Sequence, residues 1–129
     1  MIRVVAGIIE QDRRVLICKR RAGRIFGGKW EFPGGKMRPS ETPRQALARE
    51  LYEELGIVPE IGDLLQVVQH RYGGMNAAVH LSFFSARFRS SPRNLAFERI
   101  AWARREDLPR YDFLAADRRV ISRVVRGEI

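Results

Sequence analysis

Hydrophobic and polar positions along this chain change period several times, and each change marks an element. Val4-Val5-Ala6-Gly7-Ile8-Ile9 is an unbroken apolar run that predicts a buried strand, and Val15-Leu16-Ile17-Cys18 predicts a second. Glu10–Arg14 between them is polar and turn-like, so the pair reads as a hairpin. Arg21–Lys29 holds three glycines and reads as a loop; Trp30-Glu31-Phe32 is a short strand stopped by Pro33-Gly34-Gly35. The period then turns helical. Leu47, Leu51 and Leu55 form one stripe over Pro43–Leu55, Pro43 suits a first turn, Thr42 an N-cap and Gly56 the residue that ends the helix. Strand-like runs follow at Leu64–His70 and Ala78–Phe88, with Gly73-Gly74 between them, and a further strand surrounds Ile100–Ala103. Val120, Ile121, Val124 and Val125 predict a closing helix over Ala115–Arg126. Strands, helix, strands, helix predicts the α+β class with a mixed or antiparallel sheet, and the 129 residues predict a single domain, 1–129.

Composition narrows the class of partner. Apolar residues at 45% and charged residues at 30% suit a folded globular chain rather than a disordered one. No apolar run approaches the roughly 18–20 residues of a membrane span, and the N-terminus lacks a signal-peptide pattern. Cys18 is the only cysteine, which excludes an intrachain disulfide and fits the reducing cytoplasm. The formal charge is +9, carried by 21 Arg against 3 Lys. Guanidinium forks suit phosphate oxygens, so an anionic partner is expected. The arginines are scattered, however, with clusters no longer than Lys19-Arg20-Arg21, which argues against a nucleic-acid-binding tail.

Within this basic chain, Glu50, Glu53 and Glu54 fall inside five residues. At about 100° per residue they share one helix face, Glu53 about 60° to one side of Glu50 and Glu54 about 40° to the other. Their like-charge pairs each cost roughly 0.2–0.5 kcal/mol, and they sit towards the end of the helix where its dipole repels anions. One reading is a solvated acidic face. The other is a site for a hard divalent cation, which reverses the sign of both effects.

The spacing around these residues resembles the signature of the Nudix hydrolases, G-x5-E-x7-R-E-U-x-E-E-x-G-U with U a bulky aliphatic. Gly35, Glu41, Arg49, Glu50, Leu51, Glu53, Glu54, Gly56 and Ile57 fill every specified position. A chance match has odds on the order of one in 10⁸ per window. Trp30-Glu31-Phe32-Pro33-Gly34-Gly35-Lys36, together with Arg20 and Tyr111–Asp117, is similar to the MutT-type subgroup, the nucleoside triphosphate pyrophosphohydrolases. The likeness is tight over Trp30–Ile57 and loose after Pro59.

The resemblance implies a Nudix fold: a mixed β-sheet between helices, with the signature as loop-helix-loop. It implies hydrolysis of a (deoxy)nucleoside triphosphate to the monophosphate and pyrophosphate, using Mg²⁺ or Mn²⁺, with nucleotide-pool sanitation as a role. The alternatives are a Nudix hydrolase of another nucleoside diphosphate derivative, such as ADP-ribose or a dinucleoside polyphosphate, and a catalytically silent nucleotide-binding module. It implies a small-molecule nucleotide partner, with neither nucleic acid nor membrane required, and a monomer or homodimer. By the same resemblance the metal ligands and catalytic groups are Glu50, Glu53 and Glu54, with the backbone carbonyl of Gly34 or Gly35. Substrate contacts fall on Arg20, Glu31, Phe32, Pro33, Gly34, Lys36 and Asp117. Arg20 and Lys36 match phosphate-contacting positions, Asp117 the position that reads the base edge, and Glu41 a supporting position beside Arg49. A second catalytic carboxylate lies in such proteins several residues before a strand tryptophan. With Trp102 as that landmark the positions are Ala96 and Phe97, and Glu98 lies slightly closer, as an extra base or a surface glutamate. Phe83, Phe84 and Phe88 are candidates for stacking on the base or for the core; His70 and His80 read as structural or surface residues.

Overall fold

The structure is a computed structural model that describes residues 1–73 and 77–129. Nine regular elements run in the order β1 (Ile2–Gln11), β2 (Arg14–Lys19), β3 (Trp30–Glu31), β4 (Gly34–Lys36), α1 (Pro43–Leu55), β5 (Glu60–His70), β6 (Val79–Arg87), β7 (Arg99–Arg104) and α2 (Arg118–Val125) among the described residues.

β1 is the hub of a mixed sheet. Over Ile2–Ile9 it pairs in parallel with β6, Val4–Ala6 pair antiparallel with β4, and Glu10 and Gln11 turn away to pair with β2. β5 extends the sheet beyond β6, while β3 and β7 flank β2. The continuous apolar run in β1 follows from its burial on both faces. Val5 and Ile9, with Leu16 and Cys18, pack under Ala46, Leu47, Leu51 and Leu55 of α1. Ala6 and Ile8, with Val15 and Ile17, pack over Val120, Ile121 and Val124 of α2. The helices thus cover opposite faces, which is the αβα sandwich expected.

α1 begins and ends where its chemistry dictates. Gln45 donates its backbone N–H to Thr42 Oγ1 at 3.2 Å, and Thr42 donates its own to Gln45 Oε1 at 2.9 Å, a reciprocal cap on two orphan donors. Gly56 takes φ 67°, a left-handed conformation that closes the last turn through its N–H to Tyr52 O at 3.0 Å.

Several boundaries differ from the pattern-based reading. The hairpin turn is only Asp12-Arg13, both at positive φ (51° and 63°), because Glu10, Gln11 and Arg14 are paired strand ends despite their polarity. Pro33 does stop β3, but Gly34-Gly35 does not end the sheet: with Lys36 it forms β4 against β1. A Cβ on Gly34 would run into the backbone oxygen of Val5, so glycine is what lets this strand lie so close. β5 starts four residues early, at Glu60, through two register shifts before Gln66, where Ser85 Oγ accepts the N–H of Asp63 at 2.9 Å. The closing helix begins as a 3₁₀ turn at Ala115–Asp117, and an unforeseen 3₁₀ turn at Arg105–Arg110 follows β7. Of the Gly73-Gly74 break, Gly74 lies outside the described residues. No helix among the described residues is long and apolar enough to cross a membrane.

Candidate active site

A cavity of about 450 Å³ opens where the β1–β4 edge, the C-terminal half of α1 and the Ala115–Asp117 turn meet. Arg20, Glu31, Phe32, Gly34, Lys36, Glu50, Glu54 and Asp117 line it, so eight of the sequence-predicted site residues converge on one space. A larger depression of about 590 Å³ between the Arg105–Arg110 turn and α2 has Asp112 as its acidic group, already paired with Lys29 at 2.9 Å.

α1 aims its carboxylates differently. Glu54 is part-buried against the sheet, where its Oε1 accepts the N–H of Gly34 at 3.1 Å. Burial, then the charges of Glu50 and Glu31, push its carboxyl up to about 9, against the single opposing bond from Gly34. Glu50 lies directly over Gly35: a Cβ there would stand 2.5 Å from its carboxyl carbon. Burial raises Glu50 as well, with Arg49 pulling the other way. Glu53 is 45% exposed and turns outward, with Arg38 and Arg49 both at 3.4 Å.

Arg49 is the brace of the loop-helix unit. Its guanidinium donates to Glu41 at 2.6 and 2.9 Å, to Glu50 at 2.8 Å, to Glu53 at 3.4 Å and to the carbonyl of Lys36 at 3.0 Å. Glu41 also accepts the N–H of Arg38 at 2.7 Å, and these bonds hold its carboxyl down to about 2. Helix and glycine strand are thereby fixed to one another by one fork of charge-assisted bonds.

No three acidic, imidazole or thiolate side chains among the described residues converge to ligating distance in this arrangement. The donor set nevertheless fits a hard cation. Two carboxylates share one cavity wall at the expense of ionisation, glycine backbone lies beside them with no Cβ in the way, and a third carboxylate is tethered only by arginines at 3.4 Å.

At the other end of the cavity Asp117 is 3% exposed and its Oδ2 has no hydrogen-bond partner among the described residues. Burial, reinforced by Glu31, raises its carboxyl well above the usual range, which favours the form that carries an O–H beside an accepting oxygen. Glu31 is itself raised by burial but stays paired with Arg20, whose Nη1 meets both its oxygens at 3.1 and 3.0 Å.

Some expected contacts are placed elsewhere. Arg20 engages its guanidinium with Glu31 and, through Nε, with the carbonyl of Ile25 at 3.0 Å. Pro33 is buried and does not line the cavity; its carbonyl accepts the N–H of Gly7 at 2.8 Å. Glu98 pairs with Lys19 at 3.2 Å outside the cavity. Phe83, Phe84 and Phe88 are core residues. The aromatic wall is instead Phe26 and Tyr72 with Phe32; Phe26 and Tyr72 lie on loops whose sequence carries no periodic signal.

Known proteins share this arrangement of chain. A CTP pyrophosphohydrolase from Escherichia coli is 37% identical over 117 residues, covering 91% of this chain and 86% of its own. An 8-oxo-dGTP diphosphatase from Proteus vulgaris is 44% identical over 82 residues, 63% of this chain and 71% of its own. The crystal structure of a MutT NUDIX hydrolase from Burkholderia pseudomallei superposes with a TM-score of 0.84 at 30% identity, covering 94% of this chain and 95% of that one. The family model of the NUDIX domain matches residues 1–124, and with the glycine strand, braced helix and acidic wall described above, this chain belongs to the Nudix family.

Proposed function

We propose that this chain hydrolyses a nucleoside triphosphate to the monophosphate and pyrophosphate, with Mg²⁺ or Mn²⁺ held by Glu50, Glu53, Glu54 and a backbone carbonyl of Gly34 or Gly35. The observation that carries this reading is the polarity of one cavity. Glu50 and Glu54 stand at one end and a buried Asp117, whose Oδ2 has no partner among the described residues, at the other, so a nucleotide fits with its phosphates towards α1 and its base towards α2. The relatives named for CTP and for 8-oxo-dGTP share the triphosphate and differ in the base, which supports assigning the class of substrate to the carboxylate end.

When bound, the cation shields the polyphosphate and acidifies water beside it. The chain's own residues do the rest. Arg49 keeps Glu50 oriented over the glycine strand, and Glu53 can leave Arg38 and Arg49 because both bonds are long and half-exposed. Lys36 lines the cavity with no ion pair among the described residues and offers its ammonium to a phosphate oxygen. A water oxygen bonds to phosphorus as the P–O bond to the leaving group breaks, and a carboxylate takes the water's proton. Asp117 positions the base through its buried carboxyl, whose Oδ2 is open to a hydrogen bond from the base edge. Pyrophosphate release from a panel of canonical and damaged nucleoside triphosphates, with and without Mg²⁺, tests the reading; no metal-dependent release from any of them would refute it.

A further inference from the structure

The nucleobase also needs a flat surface, and Phe83, Phe84 and Phe88 are all buried in the core. Tyr72 lines the cavity, only part-buried, and its hydroxyl accepts the N–H of Ala116 at 3.3 Å, which ties it to the residue before Asp117. His70 packs edge-on against Tyr72 with centroids 4.4 Å apart, whereas Phe26 lies tilted on it at 4.6 Å and 42°. A base between two rings needs about 7 Å, twice an ordinary carbon contact, so Phe26 and a base cannot share that side of Tyr72.

Phe26 stands on strained backbone. It sits at φ 57°, a left-handed conformation unusual for a bulky residue, in a loop with Gly23, Gly27 and Gly28. The loop is fastened by Arg20, which accepts from Gly28 at its carbonyl and donates to Ile25 through Nε, each at 3.0 Å. The same guanidinium grips Glu31 on the cavity wall, so the fastening and the pocket share one residue.

We propose that Tyr72 is the stacking face for the nucleobase and that Phe26 covers this face in the free protein, swinging off it when a nucleotide binds. The inference rests on the proposed function and deepens it by placing a base-binding contact in that site. Stacking on an aromatic side chain is sequence-tolerant, so Tyr72 supplies affinity for any base while Asp117 supplies choice among them.

The test is calorimetric binding of a nucleoside monophosphate and of ribose 5-phosphate, in Mg²⁺, to wild type and to Tyr72→Leu, Tyr72→Phe and Phe26→Ala. Tyr72→Leu is expected to weaken the nucleotide about tenfold and to leave ribose 5-phosphate unchanged. Tyr72→Phe keeps the ring and stays close to wild type. Phe26→Ala binds the nucleotide at least as tightly as wild type, because the competitor for Tyr72 is gone. Equal affinity of Tyr72→Leu for the nucleotide, equal loss of both ligands, or a loss in Phe26→Ala matching that of Tyr72→Leu would each overturn the proposal. Metal-dependent hydrolysis that survives those results leaves the proposed function standing; Tyr72-dependent binding without any hydrolysis removes that function and keeps the stacking face.

Discussion

Replacing Glu54 with glutamine tests the electrostatics of the acidic wall without any substrate. Burial beside Glu50 and Glu31 pushes this carboxyl from its usual 4.5 up to about 9. The folded protein therefore holds the proton more tightly than the unfolded chain does. The stability contributed by Glu54 is fully present below its unfolded value and is lost as pH rises towards 9. Between pH 5 and 8 the loss is roughly 4 kcal/mol at most, on the order of 10 °C in Tm for a domain of this size. The Glu54→Gln side chain keeps the shape and the acceptor for the Gly34 N–H but has no proton to lose. Thermal unfolding of both proteins in chelator, from pH 5 to 8, is the assay. Glu31, Glu50 and Asp117 are also raised and contribute to both curves, so the difference between curves reports Glu54. Wild type should lose Tm relative to the variant as pH rises, and Mg²⁺ should restore wild type increasingly at the alkaline end. Parallel curves, with an equal response to Mg²⁺, would refute the assigned burial and the repulsion behind it.

Glu53→Gln should lower turnover by orders of magnitude and leave Tm nearly unchanged, since its bonds to Arg38 and Arg49 are both long and half-exposed; full activity in steady-state kinetics would exclude it from the cation site. Asp117→Ala should change preference among bases more than the maximal rate, read as kcat/KM ratios across a nucleotide panel; unchanged ratios would remove Asp117 from base recognition. Gly35→Ala puts a methyl where the Glu50 carboxyl lies and should weaken Mg²⁺ binding about tenfold or more while the chain still folds, because a flexible side chain rather than backbone must give way. Leu51→Ala removes a fully buried side chain between α1 and the sheet and should cost about 2–5 kcal/mol in denaturant unfolding.

The parts of this molecule legible in its sequence are those governed by local rules. Thr42, Pro43 and Gly56 mark the ends of α1 because capping involves neighbours in the chain, and the Leu47-Leu51-Leu55 stripe fixes its buried face. Glu50, Glu53 and Glu54 stand out because their repulsion is visible in spacing alone. β4 was hidden because its two glycines carry no side-chain pattern and pair with β1, a strand distant in the chain. The Arg20–Glu31 pair crosses from the end of β2 to β3, and no one-dimensional pattern reports it. The meeting of Phe26, Tyr72 and Asp117 joins three separate loops and turns. Glu50 and Glu54 were legible because they lie on one helix, whereas Phe26 and Tyr72 reach the same cavity only through long-range contacts.

The most direct measurement is a titration of the protein with Mn²⁺, followed by the electron paramagnetic resonance of the free ion, for wild type and for Glu50→Gln and Glu54→Gln. Saturable binding in wild type that weakens sharply in both variants, with their folds intact by circular dichroism, is the expected result. Equal binding by all three proteins would contradict a cation site on this helix.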